Sequence, residues 1–257
     1  MRWLDRLRTL YVLRRCPISH QVWEQVSDKC TAFNGLSAVE RAHLRELTTL
    51  FLHRKTLVGA HELAVSEPMA VTIAAQACLL VLKLGLDDFD GWNDVIIYPG
   101  AFKVARNSVD EVGLVSLQSR SLSGESWLRG PVILSWDDVA RDLASPHAGH
   151  SVVVHEFAHK LDMCNGRANG MPPLHSDMVR ADWTQAFADA FEHLQQSIAH
   201  HHRSAINDYA ATDPAEFFAV VSELFFTAPQ ILRAEYPPVY DQLVLFYRQD
   251  PYARTRR

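Results

Sequence analysis

The sequence is short of several things that would define a class at once. Its four cysteines, Cys16, Cys30, Cys78 and Cys164, have no C-x-x-C spacing and no evident pairing scheme, so a reducing compartment is the simpler expectation. Basic excess is missing: 25 Lys+Arg face 30 Asp+Glu for a net charge of -5, which argues against general nucleic-acid binding. There is no clean hydrophobic run of spanning length, since the most apolar stretch, 69–86, is interrupted by Gln76 and Lys83 and reads as a buried core helix. The first fifteen residues carry five arginines and no continuous apolar segment, so no secretory signal is expected. Repeats and Gly/Ser/Pro-rich linkers are also lacking. A cytoplasmic protein without a membrane segment, folded as one compact unit, is the expectation.

What is present suffices for a sizeable core: 257 residues, 48% of them hydrophobic. Residues 1 to about 85 read as helical throughout. Trp3, Leu7, Leu10 and Leu13 recur near helical spacing until Pro17 closes the first helix. Ser37 and Glu40 form a capping-box pair that opens a helix to about His53, and Glu67-Pro68 opens the apolar helix that Gly85 ends. Beyond residue 90 the pattern turns to strands over 95–98, 112–122 and 132–136, with a turn over 124–130. From Asp137 the chain is again mostly helical.

Thirteen histidines are many for this length, but only two stand in a chemical pattern. His155-Glu156-Phe157-Ala158-His159 is an H-E-x-x-H segment. Residues at i and i+4 lie on one helix face about 6 Å of rise apart, so both imidazoles can reach one ion. For this composition about 0.03 accidental matches are expected, so the bare pattern needs its context. Val152 to Val154, Phe157, Ala158 and Leu161 make the helix apolar on most sides. Two imidazoles and a carboxylate buried there are costly unless satisfied, and a cation would satisfy all three. The competing account is a pair of core histidines bonded to carbonyls. Glu156, beside the first histidine, can reach a metal-activated water as general base.

A catalytic zinc site needs a third protein ligand. The metzincin extension is excluded because positions 162 and 165 hold Asp162 and Asn165. Further on, Asp213 and Pro214 announce a helix with Glu216 in its first turn and Glu223 seven residues later. Spacing leaves Glu216 divided between ligand and capping partner, with Glu223 as a rival ligand. Asp162 could accept from an imidazole or cap a neighbouring loop. The cluster His200-His201-His202 with His193 reads as solvated surface, and Cys164 as an apolar filler rather than a nucleophile. The segment 165–174, with two Gly and two Pro, is a loop near the cleft, and strand 132–136 is a candidate edge for holding an extended peptide.

The segments His155-Glu-Phe-Ala-His159-Lys-Leu-Asp162, Asn169-Gly-Met-Pro-Pro173 and Tyr209-Ala-Ala-Thr-Asp-Pro-Ala-Glu216-Phe-Phe-Ala together resemble the Mlc titration factor A family of cytoplasmic bacterial metallopeptidases. Gly124-Glu-Ser-Trp127 followed by Gly130-Pro131 is similar to the same family. The family's catalytic domain in turn resembles that of anthrax lethal factor, where a Tyr stands seven residues before the ligand Glu, as Tyr209 does before Glu216. The resemblance implies one zinc ion held by His155, His159 and Glu216, Glu156 as base, Tyr209 as hydrogen-bond donor to the oxyanion, and Glu223 as an acid orienting a histidine.

The expected fold is therefore α+β: a zincin-like metallopeptidase with a small sheet, the H-E-x-x-H helix and a second ligand-bearing helix. A helical N-terminal part, 1–89, packs on a catalytic part, 90–257. The resemblance further implies aminopeptidase-type hydrolysis of peptides and a partnership with the transcriptional repressor Mlc, through which the family influences expression of a glucose phosphotransferase transporter gene. No direct nucleic-acid contact and no membrane contact are expected. The alternative is a non-catalytic protein that sequesters the repressor and keeps a structural or vestigial zinc site.

Overall fold

The computed structural model describes residues 3–100, 130–145, 149–202 and 204–255. The strand expected over 112–122, almost all of the turn over 124–130, and the Gly124-Glu-Ser-Trp127 motif lie outside the described residues. Helix α1 (Trp3–Arg15) ends before Pro17, and α2 (His20–Lys29) is capped by the Ser19 hydroxyl, which accepts from the Val22 N–H. Helix α3 (Ala38–Arg54) opens with the expected capping box: Ser37 Oγ accepts from the Glu40 N–H at 3.3 Å, and the Glu40 carboxylate accepts from the Ser37 N–H at 3.0 Å.

The N-terminal part is not helical throughout. Strand β1 (Thr56–Gly59) follows α3 directly and pairs in parallel with β2 (Asp94–Tyr98), which pairs in parallel with β3 (Val132–Ser135). Four residues of mixed exposure carry too little periodicity to announce a strand. Partner choice decides: Thr56 stands opposite Asp94, and Val95 opposite Val132. The sheet thus joins the N-terminal part to the rest. Parallel neighbours need a long crossover, and the β1–β2 crossover contains α4 (Glu67–Leu80). Every residue of α4 from Val71 to Leu80 is buried, as befits a helix apolar all round. It ends at Leu80 rather than continuing to Gly85, and Gly85, at φ +112, takes a conformation that side-chain-bearing residues avoid.

Four further elements frame the core. Helix α5 (Trp136–Ala144) continues from β3, α6 (Val152–Asp162) carries the H-E-x-x-H segment, α7 (Arg180–Ala199) is the longest helix among the described residues, and α8 (Pro214–Thr227) is buried from Ala215 to Phe226. Helices α9 (Pro229–Glu235), α10 (Pro237–Tyr247) and α11 (Pro251–Thr255) complete the described chain. Helix α6 packs against α8 on one side and against α4 and β3 on others. Its depth is fixed by Phe157, whose ring meets Phe89 at 5.2 Å and Phe51 and Trp92 at 5.7 Å. Phe157 is fully buried. Phe157→Ala is accordingly expected to destabilise the fold by about 3–5 kcal/mol, read as a lowered midpoint in urea unfolding followed by circular dichroism. The mostly helical chain with a small sheet is the α+β architecture that the sequence implies. No helix among the described residues is long and apolar enough to cross a membrane.

Candidate metal centre

Two helices bring the centre together, and each is started by a side-chain cap. Ser151 caps α6, its hydroxyl accepting from the Val154 N–H at 3.2 Å. Asp213 caps α8, one carboxylate oxygen accepting from Ala215 at 2.9 Å and Glu216 at 3.0 Å. With Asp213 making that cap, Glu216 turns away from the helix start and toward the imidazoles. Its Oε2 lies 3.1 Å from His155 Nε2 and 3.4 Å from His159 Nε2, and the two imidazole nitrogens are 3.2 Å apart. These three residues form the one group among the described residues whose ligand-type atoms converge in this way. Glu216 Oε2 is buried and makes no hydrogen bond. An orphaned carboxylate oxygen facing two imidazole nitrogens is costly unless a cation or a proton is shared among them.

The charges around the centre point the same way. Burial opposes the imidazolium of His155, but the Glu216 and Glu223 carboxylates outweigh it and hold its pKa well above the usual histidine value. Burial opposes the Glu216 carboxylate too, yet its two imidazole partners hold it far below the ordinary carboxyl range. Tyr209 lies with its ring 6.1 Å from that of His155 and hydrogen-bonds to Glu216. Burial, and then the Glu216 charge, push its hydroxyl far above the usual phenol value, so it stays a donor at any working pH. Glu156, half-buried beside His155, contributes charge to both His155 and Tyr209.

Glu223 faces the other edge of His155. Its Oε1 is 2.8 Å from His155 Nδ1, and its Oε2 accepts from the Ser151 N–H at 2.7 Å. A carboxylate facing Nδ1 keeps a proton on that nitrogen, so that displacement of the proton on Nε2 turns a lone pair toward the shared centre. Asp162, fully buried at the end of α6, takes the loop-capping option: its Oδ2 accepts from the N–H groups of Asn169 at 2.8 Å and Gly170 at 2.7 Å. Burial pushes its carboxyl up to about 6, against the pull of those N–H groups.

Some contacts had no signal in the sequence. The Asp142 carboxylate accepts from the Val152 N–H at 2.7 Å, and Ser151 Oγ donates to Gln76 Oε1 at 3.0 Å, so α5 and α4 both brace the start of α6. Buried Lys160 donates to the Gly130 carbonyl at 2.7 Å and stands 5.3 Å from the Trp92 ring, with its amine pulled down to about 8 by burial. Among the side features, His193 pairs with the Tyr236 hydroxyl at 3.1 Å, and His200, His201 and His202 are exposed. All four cysteines are free; Cys164 is exposed, and partial desolvation together with the Asp88 and Asp162 charges lifts its thiol to about 11, which makes it a poor nucleophile.

Comparison with known proteins now adds to this geometry. The family described as glucose-regulated metallo-peptidase M90 matches residues 2–248. Mlc titration factor A of Klebsiella pneumoniae subsp. pneumoniae is 42% identical over 237 residues, 91% of this chain and 88% of the relative. The proteins of that name from Salmonella arizonae and Cronobacter sakazakii are 40% and 41% identical over 225 residues, each covering 86% of this chain and 88% and 84% of the relative.

Proposed function

The chain belongs to the glucose-regulated metallopeptidase family M90, and we propose that it is a zinc-dependent, aminopeptidase-type enzyme of the cytoplasm that also associates with the repressor Mlc. The observation that carries this reading is the convergence of His155, His159 and Glu216, with Glu156 next to the first of them on the same helix. Two imidazoles and one carboxylate are a ligand set of catalytic zinc, which keeps a fourth position open. The orphaned Glu216 Oε2 is the atom such a cation satisfies.

His155, His159 and Glu216 would hold the zinc, which would supply Lewis-acid activation of a water and of the scissile carbonyl. Glu156 takes the proton from that water and returns it to the leaving amine. Tyr209 donates a hydrogen bond to the carbonyl oxygen as it gains negative charge. Glu223 holds His155 by its Nδ1–H, which fixes ring orientation and tautomer. A site that only bound metal for structure would not need Glu156, and this favours catalysis over the non-catalytic, repressor-sequestering alternative. The name carried by the relatives, Mlc titration factor A, supports an association with that repressor, and through it an influence on expression of a glucose phosphotransferase transporter gene. Peptides are the substrates in this reading, with no direct contact to nucleic acid.

The test is metal content together with hydrolysis of chromogenic amino-acid amides. We expect one zinc per chain, activity lost on chelation, and activity restored by added zinc. Fully loaded protein that cleaves nothing in a broad peptide panel leaves only the sequestering alternative. The same titration carries a pH signature. Zinc competes with the proton on His155, whose affinity for that proton is raised by Glu216 and Glu223, so zinc affinity falls as pH is lowered. The fall is about tenfold per pH unit for each proton displaced, and it begins at higher pH than an ordinary histidine would set.

A further inference from the structure

The segment Asn169-Gly-Met-Pro-Pro173 has no part in the chemistry described so far, yet it lies between the two helices that carry the candidate ligands. Its near end is fixed to α6: Asp162, three residues after His159, accepts from the Asn169 and Gly170 N–H groups. Its far side bears on α8. Gly170 has φ +76, and a Cβ built there would stand 2.4 Å from the carbonyl oxygen of Pro214, two residues before Glu216. The Gly170 carbonyl is held in turn by the Trp183 indole N–H at 3.2 Å. The loop is also braced internally, since Asn169 Oδ1 accepts from the Met171 N–H at 3.0 Å and Asn165 Nδ2 donates to the Met171 carbonyl at 2.7 Å. Only a residue without a Cβ allows this approach of loop to helix.

We propose that Asp162 is a positioning residue for the metal centre: through Gly170 it clamps the first turn of α8 against the end of α6, and so sets where the Glu216 carboxylate stands relative to His155 and His159. The clamp joins His159 to Glu216 by a short path, namely one turn of α6, two charge-assisted hydrogen bonds and one backbone-to-backbone contact. Asp162 touches no reacting atom; its charge interacts with that of His159, and its positioning action is on the spacing between helices, which Gly170→Ala probes without changing that charge. This rests on the assignment of Glu216 as a ligand.

Zinc affinity, measured by competition with a chromophoric chelator, and the visible spectrum of the cobalt(II)-substituted protein test the clamp. Asp162→Asn keeps one oxygen able to face both N–H groups but takes away, at constant size, the negative charge that strengthens the two bonds. Gly170→Ala presses on the other end of the clamp without touching Asp162. Each is expected to weaken zinc binding by about 10–100-fold and to shift the cobalt spectrum toward that of Glu216→Ala. Leu44→Ala, a core truncation on α3, which carries none of these residues, controls for lost stability and is expected to leave the spectrum unchanged. If Glu216→Ala loses zinc while both clamp variants, folded by circular dichroism, keep wild-type affinity and spectrum, the clamp is refuted and the ligand assignment stands. If Glu216→Ala itself binds zinc as the wild type does, the ligand assignment fails and the clamp falls with it. Should Asp162→Asn not fold, Gly170→Ala alone decides.

Discussion

Glu156→Gln is expected to lower the hydrolysis of amino-acid amides by about 10²–10⁴-fold, the range for loss of a positioned general base, while the protein still binds one zinc. The two halves of that expectation come from different features of α6. Glu156 is adjacent to His155 and a quarter-turn or so off the face shared by His155 and His159, so it is placed to meet a water at the metal rather than the metal itself. It is half-buried and contributes charge to His155 and Tyr209, so it acts on the same space as the three converging atoms. Glutamine keeps the volume and can still hydrogen-bond, but it cannot take a proton, and the fold has no reason to change. Zinc content by metal analysis and kcat on a chromogenic amide, measured on one preparation, check both halves. Hydrolysis by the variant at the wild-type rate would remove Glu156 from the mechanism. Repressor binding by an inactive, zinc-loaded variant would show that association and hydrolysis are separable.

The sequence was most informative where chemistry is local. His155, Glu156 and His159 are set by spacing within one helix, and the capping box at Ser37 needs only four residues. Asp213 and Pro214 marked the start of α8 for the same reason, and the bonds from Ala215 and Glu216 to Asp213 follow it. Local rules could not choose between the two uses of Glu216, because a glutamate in the first turn suits a cap and a ligand equally. Three-dimensional packing adds what they lack: α8 lies against α6, so the Glu216 side chain meets two imidazoles while Asp213 makes the cap.

The rest depended on contacts between distant segments. Strand β1 is a strand because Thr56 to Gly59 finds β2 beside it, a pairing that four residues cannot encode. Asp142 and Gln76 brace the start of α6 from elements that lie 10 and 75 residues before it in sequence. Asp162 was divided between an imidazole and a loop, and the loop won because two N–H groups, at Asn169 and Gly170, converge on one oxygen. What sequence supplies for such residues is a short menu of partners. Burial then selects among them, since a buried carboxylate without a donor is too costly to keep.

Glu216→Ala is expected to lose most of the zinc affinity, and Glu223→Ala considerably less. Structural zinc in zinc-finger peptides is held by four protein ligands with a free energy on the order of 10–16 kcal/mol at pH 7. At that scale one ligand accounts for about 3–4 kcal/mol, or about 10²–10³-fold in affinity. Loss of an outer carboxylate that only orients a histidine typically weakens binding by about 10–100-fold. The geometry assigns the larger effect to Glu216, whose Oε2 faces both Nε2 atoms, and the smaller to Glu223, which touches only the far nitrogen of His155. Glu223→Ala has a second consequence that Glu216→Ala lacks. It strips the Ser151 N–H, at the cap of α6, of its acceptor, so it is expected to lower the thermal midpoint of the metal-free protein as well. Glu216→Ala instead leaves that cap intact and removes the carboxylate that Tyr209 and the two imidazoles face, so the metal-free stability it costs is lost at the centre and not at the start of α6. Chelator competition and thermal unfolding of both metal-free variants separate the two roles. The reverse order of affinities would make Glu223 the ligand and Glu216 the orienting acid.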